Sequence, residues 1–586
     1  MRKARRSVSD DGVKCIFEER ITSKGFCEIT QSHGNFVRCD FVCSMYLKTQ
    51  IQKPNTTYTM PKSSKAIKLP PFQNEPPTDF SNPKNKREMM RAIEKVRGEL
   101  GKAFPARIGA ELRSNSEQKL ISTNPCNYRE VVATFPLCDK IDVEHAIGAA
   151  TEAFEWWKKT PVEKRASYLL KAAEKMRKRK HEFSAMMIFE VAKNWAEADM
   201  DTAEAIDFME FYAREALRLC APQPIVKSPK WLGKEANELI YIPLGVGAIL
   251  PPWNFALSIM VGMTTSALVA GNTVVLKPSP DAPFVAAKFA ELMEEVGLPK
   301  GVLNVIYGGA EVGEAMVEHP KTRFISFTGS KAVGLKINEA AAKLREGQKW
   351  IKRVIAEMGG KDAIIIEPDA NLDEAVKATI QSAFGFSGQK CSACSRVIIN
   401  EKVYDEVIEK LTERAGTLTL GDAVENPSMS AVSSEKAFKK ISEYIEIGKQ
   451  EAKLVFGGKA DSSKGWFIEP TIFADVEPTA RIAQEEIFGP VLACIKAANF
   501  DEALQIANDT EYGLTGGVFT KNRKKLERAK EEFFVGNLYL NRKITGALVG
   551  VHPFGGFNLS GTDSKAGGRD YLLNFLQGKS IAERLA

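Results

Sequence analysis

From Leu239 to Leu276 the chain carries no charged side chain. A membrane span would need about 20 unbroken apolar residues. Here Pro251-Pro252-Trp253-Asn254 and Gly271-Asn272-Thr273 cut the run into shorter pieces. What remains reads as a strand (YIPLGVGAIL), a loop, a helix from about 257 to 270, and a second strand (TVVLKP), all buried. Uncharged strands on both sides of a helix indicate a parallel sheet covered on both faces, because the crossover helices of βαβ units lie over the sheet.

The alternation continues to about 365 through LNVIYG and FISFTG, the pattern of a doubly wound dinucleotide-type domain. From 362 to about 545 it resumes with AIIIEP, SRVIIN, GVFT and NLYLN, which predicts a second α/β domain. Upstream, 86–101 reads as an amphipathic helix ended by Gly101, and helices are expected over 142–158, 161–182 and 197–219. Residues 61–85 are rich in Pro, Asn and Lys and are expected to wrap a surface, whereas 549–586 reads as Gly-rich and then helical. The fold class is α/β.

Charge and composition exclude several functions. The net charge is +7, but residues 1–59 hold ten Lys/Arg against six Asp/Glu, so the rest is only slightly basic. Such a body has no nucleic-acid footprint. Of the ten cysteines, Cys15, Cys27, Cys39 and Cys43 fall in the first 59 residues and the others are scattered. That distribution is no disulfide framework and fits a reducing, cytoplasmic setting. Five histidines with no HExxH and no paired Cys/His spacing argue against a metal site. Residues 1–59 show no sustained apolar period; their basic start suggests a transit peptide, but Asp10, Asp11, Glu18 and Glu19 oppose it. Translation is expected to start at Met60, with 1–59 disordered or not native.

Familiar motifs are missing. Gly245-Val246-Gly247 lies inside a strand, Gly329-Ser330-Lys331-Ala332-Val333-Gly334 lacks the Lys-Ser/Thr of a P-loop, and no GxSxG exists. FISFTGSKAVG (324–334) does set small residues between a strand and a helix, where exposed N–H groups favour an anion. Cys391 in GQKCSAC follows a glycine turn, where Lys390 and local N–H groups favour a thiolate; a buried structural cysteine is the plain alternative. Asn254 puts a carboxamide before a helix, suited to an oxyanion. Glu357 ends a strand ahead of Gly359-Gly360, a position for a base. Lys277-Pro278-Ser279 ends another strand, and Glu485-Glu486-Ile487-Phe488 adds a carboxylate and a ring.

In this order and spacing the motifs resemble the aldehyde dehydrogenase superfamily over about residues 75–582. Lys543-Ile544-Thr545-Gly546-Ala547-Leu548, HPFGGFNLSGTDSKAGGRDYL (552–572), EVAKNWAEADMD (190–201) and GQKCSACSR (388–396) narrow the likeness to the Δ1-pyrroline-5-carboxylate dehydrogenase branch. The resemblance implies a Rossmann-type NAD-binding domain (60–221 and 241–361), a catalytic domain (362–548), and a β oligomerisation flap with the C-terminal tail (222–240 and 549–586). It implies NAD-dependent oxidation of L-glutamate γ-semialdehyde to L-glutamate, the second step of proline degradation.

By similarity, Cys391 is the nucleophile, Asn254 the oxyanion donor and Glu357 the base for thioester hydrolysis. The cofactor would lie over 324–334, touching Phe327, Thr328, Gly329, Ser330 and Gly334, with Gly313 and Trp253 beside it. Lys277 and Ser279 would meet the adenosine ribose, and Glu486 and Phe488 the nicotinamide ribose. Many relatives carry Glu three residues after the lysine, where it repels a 2′-phosphate; this chain has Pro280, so NADP use alongside NAD is expected. Ser392 with the N–H groups of Gly546 and Ala547 would anchor the substrate's α-carboxylate, Phe255 and Phe554 would flank its stem, and Lys390 would lie nearby. The resemblance also implies a homo-oligomer, dimer or higher, and a proline dehydrogenase as pathway partner. Two rivals stay open: an aldehyde dehydrogenase for another semialdehyde, and a cofactor-independent thiol esterase, which leaves Lys277 and Glu486 unexplained.

Overall fold

The computed structural model describes residues 69–585 apart from Asn115, together with three strands nearer the N-terminus. Those strands, Arg5–Asp10, Val13–Ile21 and Cys27–Thr30, form an antiparallel sheet in a unit of their own. The expectation of unfolded chain over 1–59 meets paired strands there and otherwise lies outside the described residues. All that follows concerns the second unit.

Five parallel strands build the first large sheet, in the order Arg353–Glu357, Thr322–Thr328, Val246–Leu250, Thr273–Leu276 and Leu303–Val305. Ala106–Ile108 and Glu111–Arg113 extend one edge antiparallel. The helix Ser258–Val269 is buried nearly all round, as a crossover inside a covered sheet must be. The second large sheet runs Lys453–Phe456, Thr471–Ala474, Val491–Ala497, Cys394–Asn400, Asp362–Ile366, Thr515–Phe519 and Asn537–Leu540, parallel apart from its first strand. Its Asp362–Ile366 strand shows why the sequence lacks alternation. Ala363 and Ile365 pack into one core cluster, Ile364 and Ile366 into another on the opposite face.

Helices cover the first sheet much as expected, at Pro83–Arg97, Lys140–Trp157, Val162–Lys178 and Trp195–Leu219, with Lys180–Val191 split from the third by a break at Arg179. The first ends at Gly98 and not at Gly101. Residues 69–82 do wrap a surface: Asn74 Nδ2 donates to Asp207 at 2.8 Å and Thr78 N to Asp199 at 2.8 Å, both on Trp195–Leu219. The stretch 61–68 lies outside the described residues.

Two expectations are corrected. YIPLGVGAIL is not one strand. Glu235–Pro243 belongs to a ribbon, and the chain turns at Gly245 (φ +150°) before Val246–Leu250 enters the sheet. The C-terminal tail is not helical after its short turn Tyr571–Phe575; Leu576–Arg584 pairs antiparallel with Glu235–Pro243 along its whole length. A polypeptide end that gains a full row of backbone partners satisfies its N–H and C=O groups better than an isolated, exposed turn of helix. Among the described residues no helix is long and apolar enough to cross a membrane.

Candidate active site

The carboxyl ends of the first sheet's parallel strands open into a cleft of about 860 Å³. Ligands of open α/β sheets bind at that edge, because the strand-to-helix loops gather there. Leu250 leads into 251–254, Leu276 into Lys277, Thr328 into Gly329, and all of these but the buried Leu276 line the cleft. Helix Lys331–Ala342 starts directly after Ser330 and aims its free N–H groups at the loop. Gly329 is required here, since a Cβ would run into the Phe327 ring. Gly334 does not line the cleft; a Cβ there would strike Met358 Sδ, so this glycine serves helix packing. Phe327, Thr328, Ser330, Gly313, Ser279 and Trp253 all line the cleft.

Lys277 Nζ donates to the carbonyls of Gly308 (3.2 Å) and Pro278 (3.3 Å), and burial pushes its pKa down to about 8. At the other end, Glu486 Oε1 accepts from the Gly360 N–H at 3.2 Å. Gly359 packs so near that a Cβ would fall on the Glu486 carboxylate, and a Cβ on Gly360 would fall on the Cys391 carbonyl, which together account for the two adjacent glycines. Phe488 holds φ +63° and sets its ring edge-on to Trp253, centroids 5.6 Å apart.

Cys391 lines this same end. Its loop is strained: Phe386, Ser387 and Gly388 follow one another at φ +50°, +53° and +69°. Two non-glycine residues in that region cost about 1–3 kcal/mol each, so the surroundings must hold them. They do. Ser387 Oγ donates to the Ser430 carbonyl at 2.6 Å, Gln389 Oε1 accepts from Ser433 N at 2.8 Å, and Asn254 Nδ2 donates to the Gln389 carbonyl at 3.1 Å. Gly388 abuts the Gly489 backbone, where a Cβ could not fit. Asn254 therefore spends one N–H on the cysteine loop and keeps the other beside the cleft it lines. Burial pushes the Cys391 thiol up, and the charges of Asp362, Glu486 and Glu357 push it further, while the Ser392 N–H acts the other way.

Glu357 stands apart from the cleft lining. Ser564 Oγ donates to its Oε1 at 2.5 Å, and its enclosed Oε2 has no hydrogen-bond partner. Burial first of all raises the carboxyl to about 8, against the pull of Ser564 and Lys565. The segment with Phe554 flanks it, because a Cβ on Gly555 would lie 3.0 Å from Oε1.

None of the predicted substrate residues lines the cleft. Lys390 Nζ donates to Glu197 Oε1 at 2.7 Å. Burial raises the Glu197 carboxyl, but the charges of Lys390, Lys193 and Lys543 more than offset it and hold it below the usual range. Gly546 is left-handed (φ +78°) next to the Lys543 stem, Ala547 is half-buried beside it, and Ser392 is buried. Phe255 lies 4.3 Å from Lys193 Nζ, which is itself 2.6 Å from Asp201 Oδ2. Sequence reasoning left Gln389, Ser564, Lys193 and Glu197 without roles. All four sit in motifs that carry the resemblance, GQKCSACSR, HPFGGFNLSGTDSKAGGRDYL and EVAKNWAEADMD, yet nothing in those motifs singled out their side chains. Lys361, next to this centre, is fully enclosed with its Nζ unpartnered, and burial followed by Arg396 pushes it down to about 7.

Comparison with known proteins places this geometry. The model of the aldehyde dehydrogenase family matches residues 112–581. The chain is 56% identical over 515 residues to 1-pyrroline-5-carboxylate dehydrogenase of Geobacillus sp. (strain WCH70), covering 88% of this chain and 99% of that one. It superposes on 1-pyrroline-5-carboxylate dehydrogenase from Thermus with bound NAD at TM-score 0.87 and 50% identity, covering 89% of this chain and all of that one. Proline utilization A from Bdellovibrio bacteriovorus matches at TM-score 0.86 and 43% identity over 88% of this chain and 54% of that one. A family model spanning most of the chain, and identity above half across nearly the full length of a relative, make this chain a member of the aldehyde dehydrogenase family.

Proposed function

We infer that the chain oxidises L-glutamate γ-semialdehyde, the open form of Δ1-pyrroline-5-carboxylate, to L-glutamate with NAD, the second step of proline degradation. One observation carries the reading: Cys391 and the Asn254 carboxamide share the end of a dinucleotide-sized cleft whose other end holds Lys277.

Cys391 Sγ, once deprotonated, bonds to the aldehyde carbon, and the oxygen becomes an oxyanion held by the free Asn254 N–H and the Cys391 backbone N–H. Donors aimed at developing charge in a site closed to water act strongly because they need no reorganisation. Phe327, Ser330, Glu486 and Phe488 would hold NAD, which would supply a hydride acceptor beside that carbon, so that loss of the hydride leaves a thioester on Cys391. Sulfur suits both roles, as a thiolate nucleophile and then as a leaving group. Glu357 takes the proton of the attacking water, which requires its side chain to turn from Ser564 toward Cys391. Ser392 and the N–H groups of Gly546 and Ala547 receive the α-carboxylate, and Phe255 and Phe554 flank the stem. The Lys390–Glu197 pair offers both signs of charge to a zwitterionic end.

The six described cysteines outside 1–59 are free, which supports a cytoplasmic setting. The ribbon of Glu235–Pro243 and Leu576–Arg584, with exposed Trp231 and Val226 in the adjoining loop, supports a homo-oligomer of two or more copies. The likeness to part of proline utilization A supports a proline dehydrogenase as the source of substrate.

The test follows NADH absorbance with Δ1-pyrroline-5-carboxylate for wild type and Cys391→Ala. Turnover in the first and none in the second is expected; turnover without the sulfur would overturn the assignment.

A further inference from the structure

Lys193 is fully buried and does not line the cleft, yet it bears on both loops of the reaction centre. Helix Lys180–Val191 closes at Ala192 in the left-handed conformation (φ +55°), and Lys193 follows directly. Its Nζ lies 2.6 Å from Asp201 Oδ2, 4.3 Å from the centroid of the Phe255 ring and 4.8 Å from that of Phe386. Phe255 is the neighbour of Asn254, and Phe386 opens the strained stretch that leads to Cys391. The contacts close a circuit. Asn254 Nδ2 donates to the Gln389 carbonyl at 3.1 Å. Gln389 in turn donates to the Phe386 carbonyl through its backbone N–H (3.1 Å) and its side-chain amide (3.3 Å). Asp201 Oδ1 accepts from Ser258 N at 2.7 Å, which fixes the first residue of the helix that Phe255 leads into.

A buried lysine–carboxylate pair gains little net stability over apolar side chains of similar volume, because both ions must leave water. Apolar packing would fill the space between two phenyl rings equally well. What an ammonium adds is direction. Both ring faces are attracted to it in a fully buried site, where nothing screens the pull, and Asp201 fixes the point at which it stands. We propose that Lys193 is a positioning residue for the oxidation. It holds the Phe255 and Phe386 loops at one separation, so that the free Asn254 N–H and the Cys391 N–H converge on the oxyanion. It acts through the two rings and not on the substrate. The proposal rests on the oxyanion reading of Asn254 and Cys391 and deepens it.

The experiment compares wild type, Lys193→Met, the double variant Lys193→Met/Asp201→Asn, and Phe386→Leu. Methionine keeps most of the stem without the charge, and asparagine keeps an acceptor for Ser258 N, so the double variant leaves no unpaired buried ion. Single-turnover NADH formation with enzyme in saturating excess reads the steps up to hydride loss, and urea midpoints read stability. Small displacements of reacting groups cost up to about 100-fold in rate. The single-turnover rate of the double variant is expected to fall about 10–100-fold, by the same factor for glutamate semialdehyde and for uncharged pentanal. Its urea midpoint should return to near that of wild type and its NAD affinity should be unchanged, whereas Lys193→Met alone should lose both rate and midpoint. Phe386→Leu, which leaves the ion pair intact, should slow the same step several-fold. A wild-type rate in the double variant or in Phe386→Leu would overturn the proposal. So would a loss confined to KM for glutamate semialdehyde, because Lys193 would then act on the charge of the substrate. A wild type that forms no NADH would remove the functional reading and this proposal with it.

Discussion

Replacing Glu357 by glutamine should separate the two half-reactions at Cys391. The carboxyl is raised from 4.5 to about 8, with burial the largest cause. At about 1.4 kcal/mol per tenfold, that rise makes its ionisation roughly 5 kcal/mol harder than in water. Near pH 7 most Glu357 is protonated, and only the ionised fraction can take a proton from water. That fraction grows about tenfold per pH unit below the pKa and levels off above it. Steady-state turnover limited by thioester hydrolysis should therefore climb toward a plateau past about pH 8. Glutamine keeps the hydrogen bond to Ser564 through its amide but cannot act as a base. Loss of general base catalysis costs about 10²–10⁴-fold. Attack by Cys391 is not slowed, because the Glu357 charge is one of three that oppose ionisation of the thiol. Stopped-flow absorbance of Glu357→Gln should thus show a burst of about one NADH per site, then a slow phase without the rise toward pH 8. A variant with no burst, or one that retains wild-type steady-state turnover, would refute this division of labour.

Two further predictions concern the frame of the site. Asn254→Ala removes an oxyanion donor together with the hydrogen bond to the Gln389 carbonyl, so kcat should fall by about 10²–10³ with bound NAD little affected, as checked by steady-state kinetics and NAD titration. Lys193→Ala leaves the Asp201 carboxylate enclosed without its cation, since both side chains are fully buried at 2.6 Å. Breaking such a pair should cost roughly 3–5 kcal/mol of stability, read as a fall in the urea midpoint; a change under 1 kcal/mol would mean that Asp201 is satisfied by other donors.

The strands around the site were legible because burial on both faces writes a continuous apolar run, as in TVVL at 273–276 and AIII at 363–366. The catalytic positions were legible only through the resemblance, whereas the glycines beside them are explained by close backbone approach. Gly359 must be glycine beside Glu486, and Gly329 beside Phe327. The ribbon was not legible in the local pattern; only the resemblance implied a β flap joined to the C-terminal tail, over 222–240 and 549–586. Glu235–Pro243 is half-buried throughout and runs into a buried strand with no change of composition, and its partner lies at the opposite end of the chain. Leu576–Arg584, read alone, has helix-forming residues at its end; a non-local pairing overrides that weak local preference.

Residue order thus determined an α/β chain with two largely parallel sheets, since strands covered on both faces write continuous apolar runs, while the roles expected of Cys391, Asn254 and Glu357 came from the resemblance to the family. Tertiary structure alone decided that Ser564 holds Glu357 back from the cleft and that Lys390 pairs with Glu197. Electrostatic partners lie far apart along the chain, and the low dielectric that gives their contacts weight exists only once the sheets and helices have closed around them.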